Sequence, residues 1–451
     1  MNKPVVLFFA RGYQADFFPT LASDRYEALF VTLTKSERLR VARLGGRVVG
    51  CFEEEYDRLP AATVGESYLI TSFMSDRFLG RYAYDKRVEI LGKEVSFWAS
   101  LLDDHRPVAV MNELVAIEIS EVLLIECRAR NIRYLAGMNC LVDDHFYWLR
   151  NPLSLSGEYL RDIEPGTTAL ELAKKYVQQV RERDYKPFYV MNLSDRRSLK
   201  PLAVAAIKLI VWSLRKTIST AFGSFQYEMY DEEYAKRLVV YLKSFTRSYD
   251  GLADLPAGKE VVYFPLHQEP EATLNYMSEF YSNQAATIEN ILKCLDVTQV
   301  LVVKEHPVDK GSLLRRKFWN LRANCSALYF FPAELHGREV LAAAHRVVTL
   351  TSTVGWEAAL IGKPVYVLGQ IFYDRLKVVT AVSNFDELKR ELRKKVFDLE
   401  PDTQYIEHFV ARMTEQSCLG NPFPHADLYS NRNRHRVAEA IAHALDTRED
   451  M

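Results

Sequence analysis

The chain has 451 residues, with 58 Lys and Arg against 59 Asp and Glu, a formal charge of −1; 48% of the residues are hydrophobic and 26% charged. These are the proportions of a globular chain, and the length calls for two or three domains, each with its own core. The near-neutral balance excludes a dedicated nucleic-acid binder, which would carry a basic excess. Six cysteines without a CxxC interval exclude a zinc ribbon and speak against a disulfide framework, so a reducing cytoplasm is the expected location.

In chain order, the opening MNKPVVLFFARGYQADFF is an apolar run cut short by Arg11, which reads as a buried first strand rather than a signal peptide. EALFVTL and RVVGCF are the next predicted strands, with the basic amphipathic SERLRVARL between them. Residues 65–105 are aromatic-rich and read as helices laid over the sheet. PVAVMNE is a strand, ELVAIEISEVLLIECRARN a long helix and IRYLAG the strand after it. NPLSLSGEYLRDIEPGTTA has the composition of a linker or functional loop. Helical periods without clear strands follow to about residue 250. The apolar stretch Pro201–Leu214, interrupted by Lys208, is shorter than the ~20 residues of a membrane span. Strand–helix alternation returns with KEVVYFPL, TQVLVVKEHP, SALYFF, HRVVTL and KPVYVLG, and the tail beyond Asp374 reads as mostly helical. The expected organisation is α/β: a Rossmann-like domain over 1–165, a helical insertion over 166–255, a second Rossmann-like domain over 256–400 and C-terminal helices over 401–451. Two such halves are expected to face a ligand cleft.

Three segments carry chemistry. In LVVKEHP a strand ends in Lys304, Glu305 and His306, and Pro307 turns the chain out of the sheet. Ligands of doubly wound sheets sit beyond the carboxyl ends of strands, where Lys304 and His306 can donate to a phosphate and His306 can protonate a departing one. The tripeptide also fits a solvated surface turn. In HRVVTLTSTVGWEAALIGKPVYVLG a strand runs through Thr351, Ser352 and Thr353 into a helix start, an anion site if it is more than a capped helix. Gly355 allows close backbone approach there, and Glu357 can accept from a ribose hydroxyl. In VVYFPLHQEPEATL, Pro265 and Pro270 frame a loop crowded with His267, Glu269 and Glu271, suited to acid–base work or sugar-hydroxyl binding. There is no P-loop, no GxGxxG after the first strand and no GxSxG elbow. LDDH at 102–105 and VDDH at 142–145 read as helix-end and loop charges rather than metal ligands.

Taken together, KEHP (304–307), STVGWEA (352–358), GKPV (362–365), GQIFYD (369–374) and PLHQEPEAT resemble the capsule-polysaccharide-biosynthesis family of bacterial glycosyltransferases, specifically its β-Kdo (3-deoxy-manno-octulosonate) transferases. The resemblance covers roughly residues 260–375; the amino-terminal half fits by architecture alone. It implies a GT-B-like fold and a CMP-Kdo donor bound in the carboxyl-terminal domain without a metal or other cofactor. Lys304 and His306 would contact the CMP phosphate, Ser352 and Thr353 would cradle it, Glu357 would reach the ribose, and His267 and Glu271 would line the sugar end. Members forming β-Kdo linkages retain the donor's anomeric configuration, which implies an enzyme carboxylate as nucleophile. Asp231 in YEMYDEEY is chosen for that role, with Glu158 in SGEYLRD as acid/base and Asp162 in reserve. The expected partners are a nucleotide-sugar donor and a glycan or glycolipid acceptor of capsule or lipopolysaccharide, with no nucleic acid. The stretch Lys200–Lys216 offers peripheral contact at the inner face of the inner membrane through Lys200, Lys208, Arg215 and Lys216 around Ile207, Ile210, Val211 and Trp212. The competing expectations are an inverting CMP-sialic acid-dependent sialyltransferase and a non-catalytic export scaffold.

Overall fold

The structure is a computed structural model. It describes residues 3–447 apart from 22, 77, 80–81, 143, 158–159, 270, 396–401 and most of 183–246, where only 206, 207, 210, 211, 213, 214, 217, 225 and 227 are described. The chain divides into two compact units. The first comprises 1–153, 213–230 and 416–451, the second 154–212 and 231–415.

The first unit is built on strands β1 (Val5–Phe9), β2 (Glu27–Thr32), β3 (Val48–Cys51), β4 (Ala109–Asn112), β5 (Arg133–Asn139) and β6 (His145–Trp148). They lie in the order β6-β5-β4-β1-β2-β3, parallel except for β6. The order β3-β2-β1-β4-β5 is that of a Rossmann sheet. Strand β1 is apolar at every position because both its faces are covered. Leu7 and Phe9 pack with Trp98 and Ile90 of the helix Tyr84–His105 and with Val122 of the helix Glu118–Ala129. Val6 and Phe8 face the other way, against Val437 and Ile441 of the helix Asn431–Asp446. Thus the C-terminal tail covers one face of the first sheet. Two residues of the expected insertion also join this unit's core: Phe225 stacks on Tyr56 at 3.7 Å, and the Tyr227 hydroxyl donates to Asp76 Oδ2 at 2.9 Å.

The second unit holds β7 (Glu260–Pro265), β8 (Gln299–Lys304), β9 (Leu328–Phe331), β10 (Arg346–Thr349), β11 (Val365–Val367) and β12 (Val379–Ala381). The sheet is parallel throughout, in the order β12-β11-β10-β7-β8-β9. Renumbered from its own first strand this is 6-5-4-1-2-3, again the Rossmann order, with the reversal between β7 and β10. Val262, Phe264, Leu301, Val303 and Val348 form its core with Ile288 and Ile291 of the helix Gln284–Cys294. The expected strands are all present. Sequence reading leaves β6 unassigned ahead of the linker that begins at Asn151, and takes β12 into a helical tail. The last strand, β13 (Cys418–Leu419), pairs antiparallel with β6 in the first unit. The helical insertion expected over 166–255 lies largely outside the described residues. Its first helix, Thr167–Arg181, belongs to the second unit, where the Tyr176 hydroxyl accepts from Trp356 Nε1 at 2.9 Å.

Candidate active site

In the second unit, the carboxyl ends of β10, β7 and β8 stand side by side, and each delivers one of the three sequence segments. After β7 the chain reaches His267. Its backbone is fixed by Gln284, whose Oε1 accepts from His267 N at 2.8 Å and whose Nε2 donates to His267 O at 3.1 Å. The ring reaches across to the loop after β10, with Nε2 3.0 Å from Thr351 Oγ1 and accepting from Thr351 N at 3.4 Å. Burial together with the nearby His306 drops the imidazole pKa to about 3, so the ring is neutral. His267 is a neutral strut between two strand ends.

After β8 the loop is tied by Glu305, which sequence analysis passed over. Its carboxylate accepts from Gly311 N at 2.8 Å, Leu313 N at 2.9 Å and the Tyr249 hydroxyl at 2.7 Å. That turn presents His306, whose Nδ1 accepts from Val308 N at 3.2 Å, leaving the proton on Nε2. Burial and the Lys304 charge lower its pKa to about 4. At neutral pH His306 thus offers an N–H donor, not the cationic acid read from sequence. Lys304 is buried, and its Nζ donates to the carbonyls of Glu305 and Ala333. Burial lowers its pKa to about 8, so it acts on the site mainly as a positive charge beneath it.

After β10, Ser352 caps the helix Thr353–Leu360, its Oγ accepting from Val354 N at 3.2 Å. The positive end of that helix opens at the same edge of the sheet. Gly355 is required for an internal reason. A Cβ there would overlap Tyr373 Oη and approach Thr349 Cγ2 to 2.9 Å, and the Tyr373 hydroxyl donates to Ser352 O at 2.6 Å. The close approach expected of Gly355 is thus made by a side chain of the GQIFYD segment. Glu357 lies farther along the helix, 3.6 Å from Arg338 Nε.

The remaining predicted residues are spread more widely. Burial lifts the Glu271 carboxyl to about 7. Glu269 is taken up by Arg315, Lys317 and Gln284. Asp231 and Glu158 lie outside the described residues; Asp162 is exposed and paired with Arg412. Among the described residues no group of three or more His, Cys, Asp or Glu is placed to hold a metal ion. Asp103 pairs with Arg130, and Asp144 with Arg432 and Arg436. No described helix is long and apolar enough to cross a membrane. Ile207, Ile210, Val211 and Leu214 are exposed.

No curated protein sequence matches the chain. Among solved structures it is similar to UDP-GlcNAc 2-epimerase from Neisseria meningitidis bound to UDP-GlcNAc, at 13% identity over 98% of this chain and 99% of that one, with a TM-score of 0.30. It is also similar to Thermosulfurimonas dismutans KpsC, as β-Kdo 2,7 transferase (13% identity, 93% and 98% coverage, TM-score 0.36) and as β-Kdo 2,4 transferase (15%, 70% and 82%, 0.34). At these TM-scores none of the three assigns an activity to this chain. Residues 193–403, somewhat under half of the chain but including all three strand-end segments, match the family model of capsule polysaccharide biosynthesis protein. The likeness carried by the strand-end motifs is thereby borne out as a likeness: residues 193–403 are similar to the capsule polysaccharide biosynthesis protein family.

Proposed function

We propose that the chain is a glycosyltransferase of capsule synthesis that draws its sugar from a nucleotide-activated donor, CMP-Kdo. One observation supports this above the others. A neutral N–H donor (His306) and a buried ammonium (Lys304) at the carboxyl end of β8, and a hydroxyl-capped helix start (Ser352, Thr353) after β10, flank β7 at the carboxyl edge of the sheet whose strand order reverses between β7 and β10. Such an edge suits a single phosphoryl group. His306 Nε2–H and the helix start hold the phosphate, Lys304 supplies charge from below, and Thr351 is kept in place by His267. Glu357 accepts from the ribose, and Glu271, raised to about 7, stands ready to exchange a proton near the sugar.

In the retaining route, the Asp231 carboxylate attacks the anomeric carbon of Kdo. The carbon–oxygen bond to phosphate breaks, and CMP departs with the electron pair. The acceptor hydroxyl then displaces Asp231, losing its proton to Glu158. The exposed Ile207, Ile210 and Val211 lie at helical spacing and support contact with a membrane surface bearing a lipid-linked acceptor, while Lys200, Lys208, Trp212, Arg215 and Lys216 lie outside the described residues.

The test is parallel incubation with CMP-Kdo and CMP-sialic acid, following CMP release. Release is expected from CMP-Kdo. Release from CMP-sialic acid alone selects the sialyltransferase reading, and release from neither removes the transferase assignment. Asp231→Asn is expected to abolish transfer while leaving CMP affinity within a few-fold; full turnover in that variant removes Asp231 from the nucleophile role.

A further inference from the structure

We infer that Arg338 is a positioning residue that holds Glu357 as a charged acceptor for the ribose hydroxyls of the bound nucleotide, an inference that rests on the nucleotide-site reading above. Arg338 lies at the start of the helix Gly337–Ala343, where its backbone N–H donates to the His336 imidazole at 3.3 Å. Its side chain is buried, and Nη1 and Nη2 have no hydrogen-bond partner among the described residues. A guanidinium kept in that state costs stability that a methionine of similar reach would not. The acid it faces is Glu357, with Nε 3.6 Å from Oε2. Both side chains are largely buried, Arg338 at 9% exposure and Glu357 at 15%, with the carboxylate slightly the more accessible.

Among the described residues, the titratable groups facing Glu357 come from two elements besides its own helix: Arg338 and, on β7, the buried Tyr263 phenol, which stays protonated. Burial pushes the Glu357 carboxyl up and Arg338 pulls it down. An ionised carboxylate accepts from two vicinal hydroxyls, whereas the protonated acid surrenders part of that capacity. Without the guanidinium, Glu357 would ionise only at higher pH. Preference for a ribonucleotide would therefore be lost as pH falls and recovered as it rises.

The experiment is calorimetric titration of the full chain with CMP and with 2′,3′-dideoxy-CMP between pH 6 and pH 9. Arg338→Gln is expected to weaken CMP binding about tenfold at the acid end, as for one charge-assisted hydrogen bond, and to regain most of it at the alkaline end. Dideoxy-CMP binding is expected to be unchanged, and Arg338→Lys, which keeps the charge, to restore the ribose preference. A pH profile parallel to wild type, or equal losses for both nucleotides, overturns the inference. Glu357→Gln gives an independent reading if Arg338→Gln does not fold. It is expected to bind both nucleotides alike at every pH, and a retained preference also overturns the inference. Failure of the wild-type chain to bind either nucleotide counts against the nucleotide site itself, a separate result.

Discussion

At the carboxyl edge of the first sheet, Arg11 after β1 is paired with Glu113 after β4, and Asn112 Nδ2 donates to the Tyr134 hydroxyl at 2.7 Å. Gly12 N nearby donates to Glu37 at 2.7 Å. At the corresponding edge of the second sheet, β7 and β10 carry His267 and the Thr351–Thr353 run, with His306 beside them on β8. The strand order is shared, so the backbone crevice is shared too. What differs is charge bookkeeping: the first edge matches a cation with an anion, while the second gathers neutral donors and a helix start over a buried ammonium. A Rossmann order supplies a place for a ligand, and the side chains at the edge decide whether an anion is wanted there.

The largest effect should come from removing the second edge's donor. His306→Ala is expected to weaken CMP binding by about 10- to 100-fold in calorimetry, the range for a hydrogen bond to a charged group. Glu113→Ala at the first edge should leave it unchanged; a comparable loss in Glu113→Ala would break the contrast. Next comes the glycine on each loop. Gly355→Ala must push Tyr373 off Ser352 and should cost about 1–3 kcal/mol in urea unfolding. Gly12→Ala has open space around it and pays only for its φ of +50°, about 1 kcal/mol. The reverse order would show that the Ser352 loop is not held as described.

The smallest effect at neutral pH separates loop-locking from binding. Burial lifts Glu305 from 4.5 to about 7, so the folded state binds its proton more tightly than the unfolded chain. Stability from this group is fully present below pH 4.5 and is lost as pH rises through about 7. Glu305→Gln should flatten that decline in denaturation curves taken from pH 4.5 to 7.5. It should leave CMP affinity within a few-fold. An unchanged slope would mean that Glu305 does not titrate in that window.

Legibility followed locality. β1, β7 and β8 are short apolar runs buried on both faces, and such runs declare themselves in one dimension. The strand-end motifs were equally readable, because a hydroxyl-capped helix start is built from consecutive residues such as Thr351, Ser352 and Thr353. What stayed hidden joins distant positions: Arg338 on Glu357, Tyr373 under Ser352, and Lys304 folded back onto the carbonyls of Glu305 and Ala333. The last of these turned a presumed phosphate ligand into a buried source of field, since a side chain's direction is set by tertiary neighbours. β6 and β12 went unread although strands just as short, such as β4 and β11, were found.

The helix Asn431–Asp446 covers the face of the first sheet that presents Val6 and Phe8, more than four hundred residues upstream. During synthesis, the part of that face under this helix stays open until the helix emerges, although Phe18, Phe30 and Val41 join Val6 and Phe8 early, whereas the second sheet can close as soon as β12 emerges. The opening strands therefore wait partly uncovered while the second sheet is made, an aggregation-exposed state. A nonsense codon shortly after residue 415 would be expected to yield insoluble aggregates rather than a shortened but folded chain.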